Sequence, residues 1–126
     1  MLRKTPLGQV LGLGSAKTGT EHWWHQRVTA IAGIPLVIFL VGFILVHRGA
    51  SRAEIVASMQ NPVVAILMGL TVFNLVWHMR MGVQVVIEDY VHVDHTKYFL
   101  LLLNTFFSVV MAVAAIYAIL KMSFGL

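Results

Sequence analysis

Three runs of apolar residues divide the chain, each long enough to cross a lipid bilayer as a helix. The first, Val28 to Val46, holds about 19 residues without a charge, against the about 20 that a helix needs to traverse a hydrocarbon layer of about 30 Å. Pro35 stands inside it and is expected to bend the helix, a disturbance that membrane helices tolerate. The second run opens at Pro62, a residue suited to a first helical turn. It continues uncharged from Val63 to Trp77, then meets His78, Arg80 and Gln84 before ending at Glu88, Asp89 and Tyr90. Val63 to Ile87 is about 25 residues, or about 37 Å at 1.5 Å per residue, enough to span with some tilt. The third run, Tyr98 to Leu120, gives about 23 residues, ample for a crossing, and Lys121 and a short tail follow. The pattern predicts an all-α membrane protein with spans over 28–46, 63–87 and 98–120.

The intervening segments are polar. Residues 1–27 form an interfacial lead-in with Arg3, Lys4, Lys17 and Arg27. Leu7 to Gly19 contains four glycines and no helical period, and reads as loop. Thr20 to Arg27 combines two tryptophans, two histidines, Glu21 and Arg27, which suits the headgroup zone where Trp rings reside. His47 to Asn61, with Arg48, Arg52 and Glu54, reads as a short connection, and Asp89 to Lys97 as a polar link. No repeat subdivides the chain, so residues 1–126 are expected to form a single membrane-anchor domain.

Composition reinforces this picture. Of 126 residues 59% are hydrophobic and 11% charged, whereas soluble domains hold about 45–50% apolar and about 25% charged residues. Cysteine is absent, which removes disulfides, thiolate metal sites and iron–sulfur ligation from this chain. The formal charge of +4 comes from nine scattered basic residues, so anchoring at membrane ends explains it better than nucleic-acid binding. Residues 1–20 lack the long apolar stretch of a secretory signal, and they lack the Arg/Ser-rich amphipathic character of a mitochondrial presequence, which favours a bacterial origin. Arg3, Lys4, Lys17, Arg27 and Lys97 lie on one side, against Arg48, Arg52 and Lys121 on the other. The positive-inside rule then puts the N-terminus in the cytoplasm and the C-terminus outside.

His78 is the most informative residue. It sits about 24 Å along its helix from Pro62 and about 16 Å from Asp89, within the hydrocarbon zone and toward the inner face. Ionisable groups at such depth are rare and face a bundle interior or a cavity. Two readings stand: a neutral imidazole bonding a neighbouring helix, or a haem axial ligand, with the second ligand coming from a partner. His22 and His25 at the inner surface, His47 at the outer end, and His92 and His95 in the inner link are expected to face headgroups, solvent or a partner. Asp89 follows His78 by eleven residues, about three turns, and so shares its face. A phenol donates well to a carbonyl oxygen and a carboxylate can move protons, so Asp89 and Tyr90 suit a quinone taking up two protons; they equally suit an ordinary helix end. Gly82, four residues after His78, admits a flat ligand or a partner helix, or serves routine packing. Arg80 and Arg27 read first as interface anchors, with an acidic partner for Arg80 and a haem propionate for Arg27 as the sharper options.

The run from His78 through Gly82 to Asp89, Tyr90 and Val91 resembles the second transmembrane helix of the D-type anchor subunits of succinate dehydrogenase, respiratory complex II. That family shows a His, a Gly four residues later and an Asp-Tyr pair eleven and twelve residues after the His. The stretch Gly19-Thr20-Glu21-His22-Trp23-Trp24-His25-Gln26-Arg27-Val28-Thr29-Ala30 is similar to the family's approach to its first helix, particularly in alphaproteobacterial members. The resemblance spans residues from about 15 to 120. It implies that His78 is an axial ligand of a b-type haem shared with a C-type anchor subunit, which donates the other His and completes the helical bundle. It implies further that Tyr90 bonds a ubiquinone carbonyl, that Asp89 supports that site, and that Arg27 lies near the haem propionates. Partners would be an iron–sulfur subunit and a flavoprotein subunit, in the bacterial inner membrane; the chain alone would have no activity. Arg80, Gln84 and Glu88 gain no role from the resemblance. Rival readings are the cytochrome b-type anchor of a fumarate reductase or another quinone-linked dehydrogenase, a non-redox membrane subunit, and an anchor that binds quinone without haem.

Overall fold

A computed structural model describes residues 6–10 and 18–126, and every regular element in it is a helix. A short helix α1, Pro6–Val10, occupies part of the stretch read as loop, with Pro6 in the first turn where its missing N–H costs nothing. Residues 11–17 lie outside the described residues, as do Arg3, Lys4 and Lys17. The first spanning helix, α2, covers Thr18–Val46. It therefore begins ten residues before the apolar run: Thr20 to Arg27 is not a separate interfacial segment but the first turns of the same helix. Nothing in those residues breaks a helix, Glu21 in the first turn complements the helix dipole, and Trp23 and Trp24 lie exposed on its surface. The helix also continues through Pro35.

The turn after α2 uses Gly49 at φ +82°, a left-handed conformation open to glycine at little cost. The connection His47 to Asn61 is not wholly irregular, because Arg52–Met59 forms a helix, α3. Its cause is a capping box. The Ser51 side chain accepts from the Glu54 backbone N–H at 3.4 Å, while the Glu54 carboxylate accepts from the Ser51 backbone N–H at 2.7 Å. His47 ties this helix to the end of α2, its ring bonding the Phe43 carbonyl at 2.9 Å and the Ser58 hydroxyl at 2.6 Å.

Helix α4, Pro62–Tyr90, starts with Asn61 accepting from the Val63 N–H and Pro62 in the first turn. Helix α5, Asp94–Ser123, begins only three residues later, so the link expected over Asp89 to Lys97 shrinks to residues 91–93. All three long helices are long and apolar enough to cross a membrane. At 29, 29 and 30 residues each is about 43–45 Å long, so their ends extend beyond a hydrocarbon layer of about 30 Å into the headgroups.

Helix α4 packs against both α2 and α5, which make no contact with each other among the described residues, while α3 packs on α4 and α5. The three spans thus form an open row with α4 in the middle. Its buried residues Thr71, Asn74 and Met81 recur at helical spacing on one stripe that also contains His78. Among the described residues the buried hydrophobic ones are few: Met59, Met81, Ile87 and Ile119. Most apolar side chains face outward, as lipid or a neighbouring helix requires.

Candidate functional site

The site grows from the contact between α2 and α4. On α2, His22, Gln26, Thr29 and Gly33 fall at spacings of four, three and four, one continuous face of a helix. On α4, Asn74, His78 and Gly82 stack at intervals of four. The two faces meet at Thr29. The His78 Nδ1 lies 2.9 Å from the Thr29 hydroxyl, and the Asn74 side-chain amide donates to the Thr29 carbonyl at 3.1 Å. The Thr29 hydroxyl itself donates back to the His25 carbonyl at 2.8 Å, with the Gln26 carbonyl at 3.1 Å. Close approach is possible because Gly33 lacks a side chain: a Cβ there would stand 3.1 Å from the Asn74 amide nitrogen.

His78 is half-buried and lines two adjoining hollows along the α2–α4 contact. The inner one, about 410 Å³, includes His22, Gln26 and Arg27, with Trp23 and Ala30. The other, about 480 Å³, is walled chiefly by Gly33, Ile34, Val37, Ile38 and Leu75. Ala30 and His78 belong to both, so they form one trough that is polar at its inner end and apolar toward mid-membrane. The polar end holds two buried atoms without a hydrogen-bond partner, His22 Nε2 and Gln26 Oε1. Such orphans cost about 1–3 kcal/mol each; the His22 nitrogen can donate to an anionic oxygen when it carries a proton, whereas the Gln26 oxygen can only accept. The Arg27 guanidinium lies 5.5 Å from the centre of the Trp23 ring, a contact that holds a cation at the rim.

A haem has two carboxylates at one edge and apolar substituents elsewhere, and the trough fits that division. Arg27 and His22 Nε2 lie where anionic oxygens would be welcome, the aliphatic wall lies beyond, and one imidazole stands between. Among the described residues no cluster of three or more His, Cys, Asp or Glu is placed to hold a metal ion.

His78 and Arg27 are brought to one trough; Asp89 and Tyr90 are not. Both occupy the last turn of α4 and are exposed, Tyr90 at 78%. Between them and His78 lies a polar hollow lined by Glu21, His22, His25, Gln84 and Glu88, where the Gln84 amide donates to the Glu88 carboxylate at 2.8 Å. His22, expected to face headgroups, solvent or a partner, is half-buried against α4 because α2 is already helical there. Gly82 faces Gln26 across the helix contact, with 3.9 Å to where a Cβ would meet its amide nitrogen.

Arg80 belongs to the opposite face of α4. Its guanidinium bonds the Thr105 hydroxyl at 3.4 Å and lies 5.8 Å from the Trp77 ring centre, while the Asn104 amide donates to the Arg80 carbonyl at 2.9 Å. It is a packing cation between α4 and α5, remote from the trough. Sequence reasoning missed Thr29, Gln26 and Asn74. The four-three-four spacing of polar and small residues across the start of α2 was the available signal.

Three helices long and apolar enough to span, with an imidazole of the second beside a polar-to-apolar trough, define a multi-pass membrane protein. The chain belongs to the succinate dehydrogenase/fumarate reductase transmembrane subunit family, whose description matches residues 1–119. It is 33% identical over 106 residues to the succinate dehydrogenase hydrophobic membrane anchor subunit of Rickettsia bellii (strain RML369-C), covering 84% of this chain and 85% of that protein. To the subunit of the same description in Paracoccus denitrificans it is 29% identical over 121 residues, 96% and 93% of the two chains. The succinate dehydrogenase membrane anchor subunit of Reclinomonas americana shares 34% over 84 residues, 64% of this chain and 70% of that one. No solved structure matches.

Proposed function

We propose that this chain is the membrane anchor subunit of a succinate:ubiquinone oxidoreductase, and that it supplies one axial ligand of a b-type haem and part of a ubiquinone-reduction site. The carrying observation is the trough itself: a half-buried imidazole at mid-span, with Arg27 and two orphaned polar atoms at one end and an aliphatic wall at the other. The family and the named function of its relatives support the same reading.

In this reading His78 presents a nitrogen to the haem iron, Arg27 and His22 bind the propionates, and Ile34, Val37 and Ile38 exclude water from the apolar edge. Bound haem supplies a one-electron redox centre within the membrane. A C-type anchor subunit brings the opposing imidazole and covers the open row of helices. Tyr90, exposed at the inner end of α4, donates a hydrogen bond to a quinone carbonyl in a pocket closed by the partner subunits. Asp89 beside it supports proton uptake as the quinone is reduced. Succinate oxidation occurs at the flavin of a soluble subunit, and an iron–sulfur subunit docks on the inner ends of the helices. The N-terminus is cytoplasmic and the C-terminus periplasmic, in the bacterial inner membrane.

Affinity capture of the tagged chain from detergent-solubilised membranes tests this. The expected product is a complex that contains flavin and iron–sulfur clusters and reduces ubiquinone with succinate. A chain recovered without either, or with a different dehydrogenase activity, would contradict it.

A further inference from the structure

A threonine hydroxyl inside an apolar helix finds no water and must be satisfied by protein. Thr29 sends its single hydroxyl hydrogen back along α2 to the His25 carbonyl, 2.8 Å away, with the Gln26 carbonyl at 3.1 Å. A hydroxyl has one hydrogen and two lone pairs. With the hydrogen so engaged, the Thr29 oxygen is left as an acceptor 2.9 Å from the His78 Nδ1, a pairing that calls for an imidazole protonated at that nitrogen. A neutral imidazole protonated at Nδ1 has its lone pair on Nε2. The same residue is held from the other side, since the Asn74 amide one turn along α4 donates to the Thr29 carbonyl at 3.1 Å. Gly33 leaves room for that amide.

From this we infer that Thr29 is the positioning residue for His78: it fixes the imidazole as the Nδ1–H tautomer and sets the plane of the ring, so that Nε2 is the metal-binding nitrogen. The inference rests on the reading of His78 as a haem ligand and assigns what orients it. A second hydrogen bond from the far nitrogen of a ligating imidazole makes that ligand more basic, and loss of such a partner costs roughly 10–100-fold in metal affinity. A more basic ligand favours the ferric state. Removing the acceptor is therefore expected to raise the haem's midpoint potential and loosen its binding, while leaving the chain's fold and partners in place.

The test is made on the whole complex in membranes, with Thr29→Val, which removes the hydroxyl at nearly constant volume, and Thr29→Ser, which keeps it. Redox titration of the b-type signal and the ferric low-field electron paramagnetic resonance line are read beside haem release to excess apomyoglobin. The expected result is a higher midpoint potential, a shifted low-field line and roughly tenfold faster release in Thr29→Val, with Thr29→Ser close to wild type. Equal shifts in both variants, one of which keeps the hydroxyl, would show that the hydroxyl is not the cause and overturn the proposal, as would no shift in either. If Thr29→Val complexes do not accumulate, Thr29→Ala reads the same quantities. His78→Ala distinguishes the two levels: a wild-type haem signal there overturns the ligand reading together with this one, whereas its loss leaves Thr29 to be judged by its own variants.

Discussion

At the residue scale, a mid-membrane histidine gains meaning from what fixes it. His78 is neither a free imidazole nor a simple core group. Its Nδ1 is bonded to Thr29, and it shares a trough with Arg27 and the buried Nε2 of His22. The place of His78 along its helix could be read from the sequence, because about 24 Å of helix separates it from Pro62 whatever it contacts. Thr29 and Gln26 could not be singled out in that way. Their importance depends on which face of α2 meets α4, and the polar stretch ahead of Val28 masks the helical period. Asn74 tests the packing directly. Asn74→Leu removes the amide's bond to the Thr29 carbonyl. Interhelical hydrogen bonds in membranes average about 0.6 kcal/mol and reach about 1.7, so thermal unfolding of the detergent-solubilised complex should begin a few degrees lower, with unchanged assembly. At the quinone end, Tyr90→Phe should weaken succinate:ubiquinone activity roughly tenfold through one lost hydrogen bond, and Asp89→Asn roughly 100-fold if it moves protons. Succinate oxidation with a soluble dye should remain in both. Equal loss of the dye-linked reaction would show damage to assembly rather than to a quinone site.

At the scale of elements, the three spans were legible because length and hydropathy alone define them. Their ends were not. A helix does not stop where apolar residues stop: α2 runs ten residues into the headgroup zone because nothing between Thr18 and Arg27 breaks it. The helix Arg52–Met59 was hidden by brevity, although Ser51 and Glu54 write its capping box into the sequence. That box carries a pH dependence. The Glu54 carboxyl is held below its ordinary value of 4.5 first by the Ser51 backbone N–H, then by the Ser51 side chain, with the nearby His47 adding to it. A carboxyl depressed in the folded state contributes stability above its unfolded value and loses it as pH falls through the folded one. Amides of α3 should therefore exchange faster as pH drops below about 4.5, after correction for intrinsic rates. Glu54→Gln should remove most of that acid dependence. An α3 whose corrected exchange ignores pH in both proteins would refute the coupling.

For the molecule as a whole, the row of helices explains why this chain needs company. Helices α2 and α5 touch α4 but not each other among the described residues. The trough along the α2–α4 contact is not enclosed by these helices and Tyr90 is largely exposed. The sequence suggested a partner only through the single imidazole of the second span; the row of helices depends on which side chains interdigitate. Topology gives a direct check, because the chain has no cysteine and single ones can be introduced without background. Gln60→Cys, exposed at the outer end, should react with a membrane-impermeant maleimide in intact spheroplasts. Thr96→Cys, exposed in the first turn of α5, should react only after permeabilisation. The reverse pattern would invert the orientation and place Tyr90 on the wrong side for an inner-surface quinone site.

Whether His78 ligates a b-type haem is read from the reduced-minus-oxidised optical spectrum of membranes holding the whole complex, wild type beside His78→Ala. The expected result is a b-type band in the wild type that is lost or altered in the variant, with the chain still present in the membrane. An unchanged band in His78→Ala would remove His78 from the haem site and leave it as a polar tie between two helices.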